Sequence, residues 1–247
     1  MSDPLDPHTD ACTTESLFQG AMRIRQYKQG YRYAIDPVLL AHFVRPADDH
    51  SVIDLGTGSG IIPLILAHRF PGIMITGIEI QKSLADLAKE NILINGLNDR
   101  VTIIHSDMSE LMGSIPGTQA DLVLSNPPFI RKKAGRINPL SEKALARHEI
   151  AITLPRLIRT ASDLLKRGGR FAVIYPHNRL ADLVSGLENE RFQPIRLRMV
   201  HPLSGGPARR VLVESVKDGC GSLVVGPPLE IFTDRGVYSD EVSSMFV

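Results

Sequence analysis

Ser51-Val52-Ile53-Asp54-Leu55-Gly56-Thr57-Gly58-Ser59-Gly60 is the stretch on which the fold turns. Ser51–Leu55 is short, apolar and rich in strand-forming residues, so it reads as a buried strand. Three glycines in the next five residues permit a tight turn and a close approach of backbone to a ligand. A helix is expected from about Gly60 to Arg69, with Pro63 in its first turn, where the missing N–H costs nothing. Strand, glycine turn and helix in this order form the opening unit of an open α/β sheet, in which ligands bind at the carboxyl ends of the strands.

The same alternation continues along the chain. Strands are expected at 73–80, 101–106, 121–125, 170–175, 194–200 and 209–216, and helices at 83–95, about 149–166 and 178–190. Gly96 suits the end of the second helix. Pro155 either kinks the next one or marks its start. Pro202, Gly205, Gly206 and Pro207 mark a loop between the last two strands. The pattern predicts one α/β domain, a doubly wound and mostly parallel seven-stranded sheet, over residues 51–247. Residues 18–50 form a short N-terminal extension. Residues 1 to about 17 carry Asp3, Asp6, Asp10 and Glu15 with no basic residue, and read as a disordered acidic tail.

Composition narrows the class. Hydrophobic residues make up 43% of the 247 and charged residues 22%, ordinary values for a globular domain with a sizeable core. The start has neither the basic residues nor the apolar run of a secretory signal, and no stretch is long and apolar enough for a membrane span. The expected location is therefore the cytoplasm. Two cysteines, Cys12 and Cys220, give no disulfide framework. The net charge of +1 announces no partner, but its distribution is uneven. Between Arg131 and Arg170 eleven basic residues face only Glu142, Glu149 and Asp163. Such a segment suits phosphate contacts, and equally a set of solvated helix faces.

Three acidic residues stand at successive strand ends. Asp54 ends the first strand and is placed to organise the glycine turn or meet an ammonium group. Glu79 ends the second, where a carboxylate accepts from both hydroxyls of a ribose. Asp107 follows the third, where it accepts from an adenine amino group. Together they favour a cationic, hydroxyl-rich ligand over a pyrophosphate, which Asp54 beside the turn would repel. S-adenosylmethionine fits that description better than a dinucleotide.

Directly after the fourth strand comes Asn126-Pro127-Pro128-Phe129. The prolines fix backbone φ and leave carbonyls free to accept. An Asn126 side-chain oxygen and the Pro127 carbonyl, each accepting one hydrogen of a planar amine, would turn its lone pair toward an electrophile. Phe129 is placed to stack on the planar group. Such positioning suits an amine whose lone pair is delocalised and weakly nucleophilic. No metal is expected, because His105, His148 and His201 lack ligand spacing.

The pairing of Asp54–Gly60 with Asn126–Phe129 resembles the class I, Rossmann-like methyltransferases that act on amino groups of adenine, guanine or glutamine. Gln29-Gly30-Tyr31-Arg32-Tyr33-Ala34-Ile35-Asp36-Pro37-Val38-Leu39-Leu40, Arg147-His148-Glu149, His201-Pro202 and Gly226-Pro227-Pro228-Leu229 resemble one branch more closely. That branch is the tRNA adenine-N6 methyltransferases, which modify the adenine next to the anticodon of a valine tRNA. The resemblance runs from about Gln19 to the C-terminus. It implies that the Tyr33–Leu40 segment closes over the cofactor, with Asp36 near its methionine end. It implies a cofactor site of Tyr33, Asp36, Asp54, Gly56, Thr57, Gly58, Glu79, Ile80, Asp107, Met108 and Asn126, with Asn126, Pro127, Pro128 and Phe129 on the target base. Many relatives carry Tyr where this chain has Phe129; stacking survives that change.

Arg131, Lys132, Lys133 and Arg136 follow Phe129 at the mouth of the expected site and are assigned to RNA phosphates. An unpaired anticodon-loop adenine is extruded at lower cost than a base in a duplex. An RNA substrate is the expected partner, with no membrane and no obligate protein partner. Other readings were an N-methyltransferase of ribosomal RNA or of a protein glutamine, and a scaffold that binds S-adenosylmethionine without catalysis. The glutamine enzymes resemble proteins with a sizeable helical domain ahead of the catalytic one. The scaffold reading predicts a broken glycine turn or Asn126 motif, and both are intact.

Overall fold

The computed structural model describes residues 12–28, 32–108, 119–128 and 153–247. Two strands, β1 (Cys12–Leu17) and β2 (Met22–Tyr27), form an antiparallel hairpin ahead of helix α1 (Ile35–Phe43). The core then alternates as the sequence predicts. It runs β3 (Ser51–Leu55), α2 (Ile61–Arg69), β4 (Met74–Glu79), α3 (Lys82–Ile94), β5 (Val101–His105) and β6 (Ala120–Ser125). Beyond the gap come α4 (Leu154–Leu164), β7 (Leu165–Pro176), α5 (Leu180–Asn189), β8 (Phe192–Leu203) and β9 (Arg210–Lys217). Three short strands, β10 (Val224–Val225), β11 (Leu229–Asp234) and β12 (Val237–Tyr238), precede a last turn of helix, α6 (Asp240–Ser243).

The main sheet has the order β12-β11-β8-β9-β7-β6-β3-β4-β5, with β10 also paired to β8. The seven expected strands are one continuous run of it, from β8 to the edge strand β5. Within that run only β9 is antiparallel to both its neighbours. Alternation along each strand divides the core into two layers. Val52, Leu122, Leu124 and Leu212 pack with α1, α2, α3 and the hairpin, whereas Ile53, Leu55, Val123 and Val213 pack with α4 and α5. Helices therefore cover both faces, as a mostly parallel sheet requires.

Three expectations are corrected. Among the described residues the sheet has ten strands rather than seven; Leu229 and Ile231 alternate into the core and hold β11 against β8. Residues Cys12–Leu17, assigned to the disordered tail, are a strand. Their partner β2 buries Met22, Ile24 and Gln26 on one face, a period-2 pattern that supplies the packing β1 lacks. The helix expected over 149–166 is described from Leu154 to Leu164, with Pro155 in its first turn, so that proline marks the start. Directly after that helix, Gly168 and Gly169 sit in a bulge of β7, between the pairs Ala120–Leu165 and Leu122–Arg170.

A buried ion pair network joins α1 to the sheet. Glu214 is 2% exposed and accepts from Arg170 Nη1 at 2.9 Å and Arg196 Nη2 at 2.8 Å. Each arginine also donates to a carbonyl at the end of α1, Arg170 to Arg45 and Arg196 to Phe43. The Arg196 guanidinium lies 4.0 Å from the centre of the Phe43 ring. Removing the carboxylate strands two cations in a poorly solvated place. Glu214→Ala is expected to lower the free energy of urea unfolding by about 3 kcal/mol, the low end for breaking a buried pair. A loss below about 1 kcal/mol would place the network with weak surface pairs.

Candidate active site

Strand register gathers the site. β3 pairs with β6 so that Leu55 lies opposite Ser125, and the Ser125 hydroxyl donates to the Leu55 carbonyl at 2.9 Å. Gly56 and Asn126 are the next residues of these neighbouring parallel strands. β4 lies on the other side of β3, with Leu55 opposite Ile78, and β5 beyond it, with Glu79 opposite His105. The glycine turn, Glu79-Ile80, Asp107-Met108 and Asn126–Pro128 thus stand along one edge of the sheet.

The turn itself is tightly held. Gly56, Gly58 and Gly60 have φ of 78°, 58° and 86°, a region that costs a side chain strain. Gly56 and Thr57 donate their N–H groups to the Ile78 carbonyl at 2.9 and 3.0 Å. Glu79, 4% exposed, accepts from Gly58 N–H through Oε2 and from Gln81 N–H through Oε1, both at 2.9 Å. Each carboxylate oxygen retains a lone pair for a further donor. Gly77, inside β4, leaves room for Thr57: a Cβ there would come within 3.0 Å of the Thr57 side chain and 2.7 Å of Ile103. Gly60 abuts Ala88 of α3, which a Cβ would meet at 3.3 Å. The Met108 methyl lies close to Gly56, 3.9 Å from where a Cβ would stand.

Asp54 is fully buried beneath this turn, and neither carboxylate oxygen has a hydrogen-bond partner among the described residues. The Thr57 and Ser59 hydroxyls are likewise buried and unpartnered. Burial pushes the Asp54 carboxyl up to about 7, the nearby Thr57 hydroxyl tempers the rise, and the Glu79 charge adds to it. An unsatisfied buried carboxylate is costly, and it becomes favourable where a cation sits against it. These orphaned acceptors, the cradle of glycines and the remaining lone pairs of Glu79 fit a ligand that is cationic and bears hydroxyls.

The other sequence-derived residues fall into three groups. Asn126 is half-buried and its carboxamide makes no hydrogen bond among the described residues; Pro127 is buried and Pro128 exposed. Tyr33 and Asp36 are held by contacts the sequence did not suggest. The Tyr33 N–H donates to Gln26 Oε1 at 3.0 Å, and its hydroxyl, raised to about 12 chiefly by burial, faces Glu15. Asp36, in the first turn of α1, accepts from Arg210 Nε at 2.8 Å. Phe129, Arg131, Lys132, Lys133 and Arg136 lie outside the described residues, as does His148.

Four participants escaped the reading of the sequence. Gly77 carried a signal, since a glycine inside a strand marks a close approach. Ser125, Arg210 and Asn91, which donates to the Ser59 carbonyl of the turn at 2.9 Å, carried none, because each acts through a partner distant in sequence.

A mostly parallel sheet of this order, with a glycine turn after its central strand and acids at the next two strand ends, defines a class I methyltransferase that uses S-adenosylmethionine. The pattern of the methyltransferase small domain family matches residues 36–189, and the chain belongs to that family. It is 38% identical over 164 residues to a tRNA1(Val) (adenine(37)-N6)-methyltransferase of Porphyromonas gingivalis. The match covers 66% of this chain and 64% of the relative, so it spans just under two thirds of the relative's length. A protein of the same name from Bacteroides thetaiotaomicron is 30% identical over 197 residues, with 78% of this chain and 81% of the relative covered. A solved structure of a predicted O-methyltransferase from Agrobacterium tumefaciens superimposes with a TM-score of 0.68 at 21% identity. It covers 85% of this chain and 94% of its own, a likeness of fold. No helix among the described residues is long and apolar enough to cross a membrane.

The Asp54 carboxyl has a consequence for stability. Its folded value, about 7, is above its ordinary 3.8, so the cofactor-free folded state holds a proton that the unfolded chain has released. The stability from that proton is complete below about pH 4 and is lost as pH rises through about 7. Melting curves of the ligand-free protein and Asp54→Asn are therefore expected to diverge across that window, the variant gaining relative to the parent. Parallel curves would show an ordinary carboxyl.

Proposed function

We propose that this chain transfers the methyl group of S-adenosylmethionine to the exocyclic N6 amine of an adenine in tRNA. The observation that carries the reading is the pairing of Leu55 with Ser125, which sets the glycine turn beside Asn126-Pro127-Pro128. The choice of adenine and tRNA is supported by the activity for which the two relatives are named, one of which is covered over 81% of its length.

The cofactor supplies an electrophilic methyl group on a positively charged sulfonium. Asp54, Gly56, Thr57, Gly58, Glu79, Ile80, Asp107 and Met108 hold it in this reading. Glu79 accepts from ribose hydroxyls, Asp107 from the adenine amine, and Asp54 offsets positive charge. The Tyr33–Leu40 segment closes over it, with Asp36 toward the methionine end. Residues 18–50 serve as its cover.

The remaining work falls to the chain's own acceptors. Asn126 Oδ1 and the Pro127 carbonyl each accept one hydrogen of the substrate amine, so its lone pair leaves conjugation with the ring. The same two acceptors stabilise the positive charge that develops on nitrogen. A proton then leaves that nitrogen for water, so no strong base is needed before transfer. Pro128 keeps the turn rigid, and Phe129 stacks on the purine. Arg131, Lys132, Lys133 and Arg136 meet RNA phosphates.

Labelled methyl transfer to bulk unmodified tRNA tests the reading, with the label identified as N6-methyladenosine. Asn126→Ala is expected to cut kcat by roughly a hundredfold, the scale for losing one preorganised partner of developing charge. Its affinity for S-adenosylhomocysteine should change far less. Equal rates for parent and variant would remove Asn126 from the chemistry. No label on tRNA, with cofactor affinity intact, would redirect the search to ribosomal RNA or protein glutamine.

A further inference from the structure

Asn91 lies on α3 and is not among the residues assigned to the cofactor, yet it is fully buried and all its side-chain bonds go to backbone. Its Oδ1 accepts from Arg25 N–H at 2.7 Å. Its Nδ2 donates to the Arg25 carbonyl at 3.0 Å and to the Ser59 carbonyl at 2.9 Å. The first two bonds are those a strand neighbour would make, so the side chain pairs with β2 as if it were backbone. The third holds the glycine turn at the Ser59 carbonyl, one residue beyond the Gly58 N–H that Glu79 holds. Asn95, one turn further along α3, repeats the first two bonds with Arg23, at 2.9 and 2.7 Å, and then donates to the Asn91 carbonyl. It makes no bond to the turn.

We infer that Asn91 is a positioning residue for the cofactor, acting through the Ser59 carbonyl to set the Gly58–Gly60 backbone, and that it couples the hairpin to that turn. Gly60 starts α2 at φ 86° against Ala88, so rotation of the Ser59-Gly60 peptide would move both the cradle and the first turn of α2. Two anchors on adjacent residues of the turn, Glu79 on the Gly58 N–H and Asn91 on the Ser59 carbonyl, limit that rotation. A structural role in docking the hairpin is shared with Asn95; the hold on the turn belongs to Asn91. The inference rests on the proposed cofactor site. Binding of S-adenosylhomocysteine to the unaltered protein tests that site separately: its absence would refute the site and the role of Asn91 with it, whereas intact binding in the Asn91 variants would refute the role alone.

The full-length protein, Asn91→Ala, Asn91→Ser and Asn95→Ala are compared by calorimetric titration with S-adenosylhomocysteine and by thermal melting. Both alanine variants are expected to melt lower, since each loses the pairing with β2. Only the Asn91 variants should weaken binding, by roughly tenfold, the scale of one buried hydrogen bond. Asn95→Ala should stay within about twofold of the parent. In methyl transfer, KM for S-adenosylmethionine should rise in the Asn91 variants while kcat at saturation holds. Equal changes in affinity for Asn91 and Asn95 variants, or none, would overturn the inference. So would failure of both Asn91 variants to fold, which would assign the residue to stability alone.

Discussion

The register of β3 between β4 and β6 is the constraint on which the rest depends. Side chains alternate along a strand, so a slip of one residue would turn Asp54 from beneath the glycine turn into the opposite layer. The same slip would move Gly56 about 3.3 Å along the strand relative to Asn126. Apolar alternation fixes the register from both sides: Val52 packs with one layer of helices, Ile53 and Leu55 with the other. The Ser125 hydroxyl adds a polar lock at the carboxyl end, where the pairing gives way to the two motifs. Core packing and site geometry are thus one requirement.

The two buried acids of the edge are used in opposite ways. Glu79 is satisfied by backbone donors on both oxygens, so it holds the turn and still offers lone pairs outward. Asp54 is satisfied by neither, and burial resists its ionisation. The first arrangement lowers the energy of the turn; the second raises it. Bound positive charge would relieve the second, so the turn is prepared for a cation by an instability built in beneath it.

The β-α alternation, the glycine turn and the Asn126 motif were legible in the sequence because each is encoded locally. Ser51–Leu55 announces a strand by its own residues, and Gly56, Gly58 and Gly60 announce a turn by their backbone freedom. The hairpin was hidden for a different reason. Met22, Ile24 and Gln26 alternate correctly, but arginines stand between them and Cys12–Leu17 has little apolar content of its own. Asn91 was illegible in principle. An asparagine on a helix reads as solvated, and its pairing with Arg25 and Ser59 exists only once three elements meet. Arg210 and Asp36 likewise find one another across 174 positions.

The outer side of β8 shows how the sheet is prevented from growing. β8 is twelve residues long, and two short strands share its flank: β10 beside Arg196 and Leu197, β11 beside Val200 to Leu203. Pro227 and Pro228 separate them, so no continuous ribbon of amide donors and acceptors runs along that border. β12 then closes the row with only two residues, its pairing to β11 broken by a register shift. A foreign strand seeking a template meets interrupted, staggered fragments instead of a long straight rail. The C-terminal segment therefore makes that border a poor template for edge-to-edge pairing, a property separate from the chemistry of the motif-bearing strands.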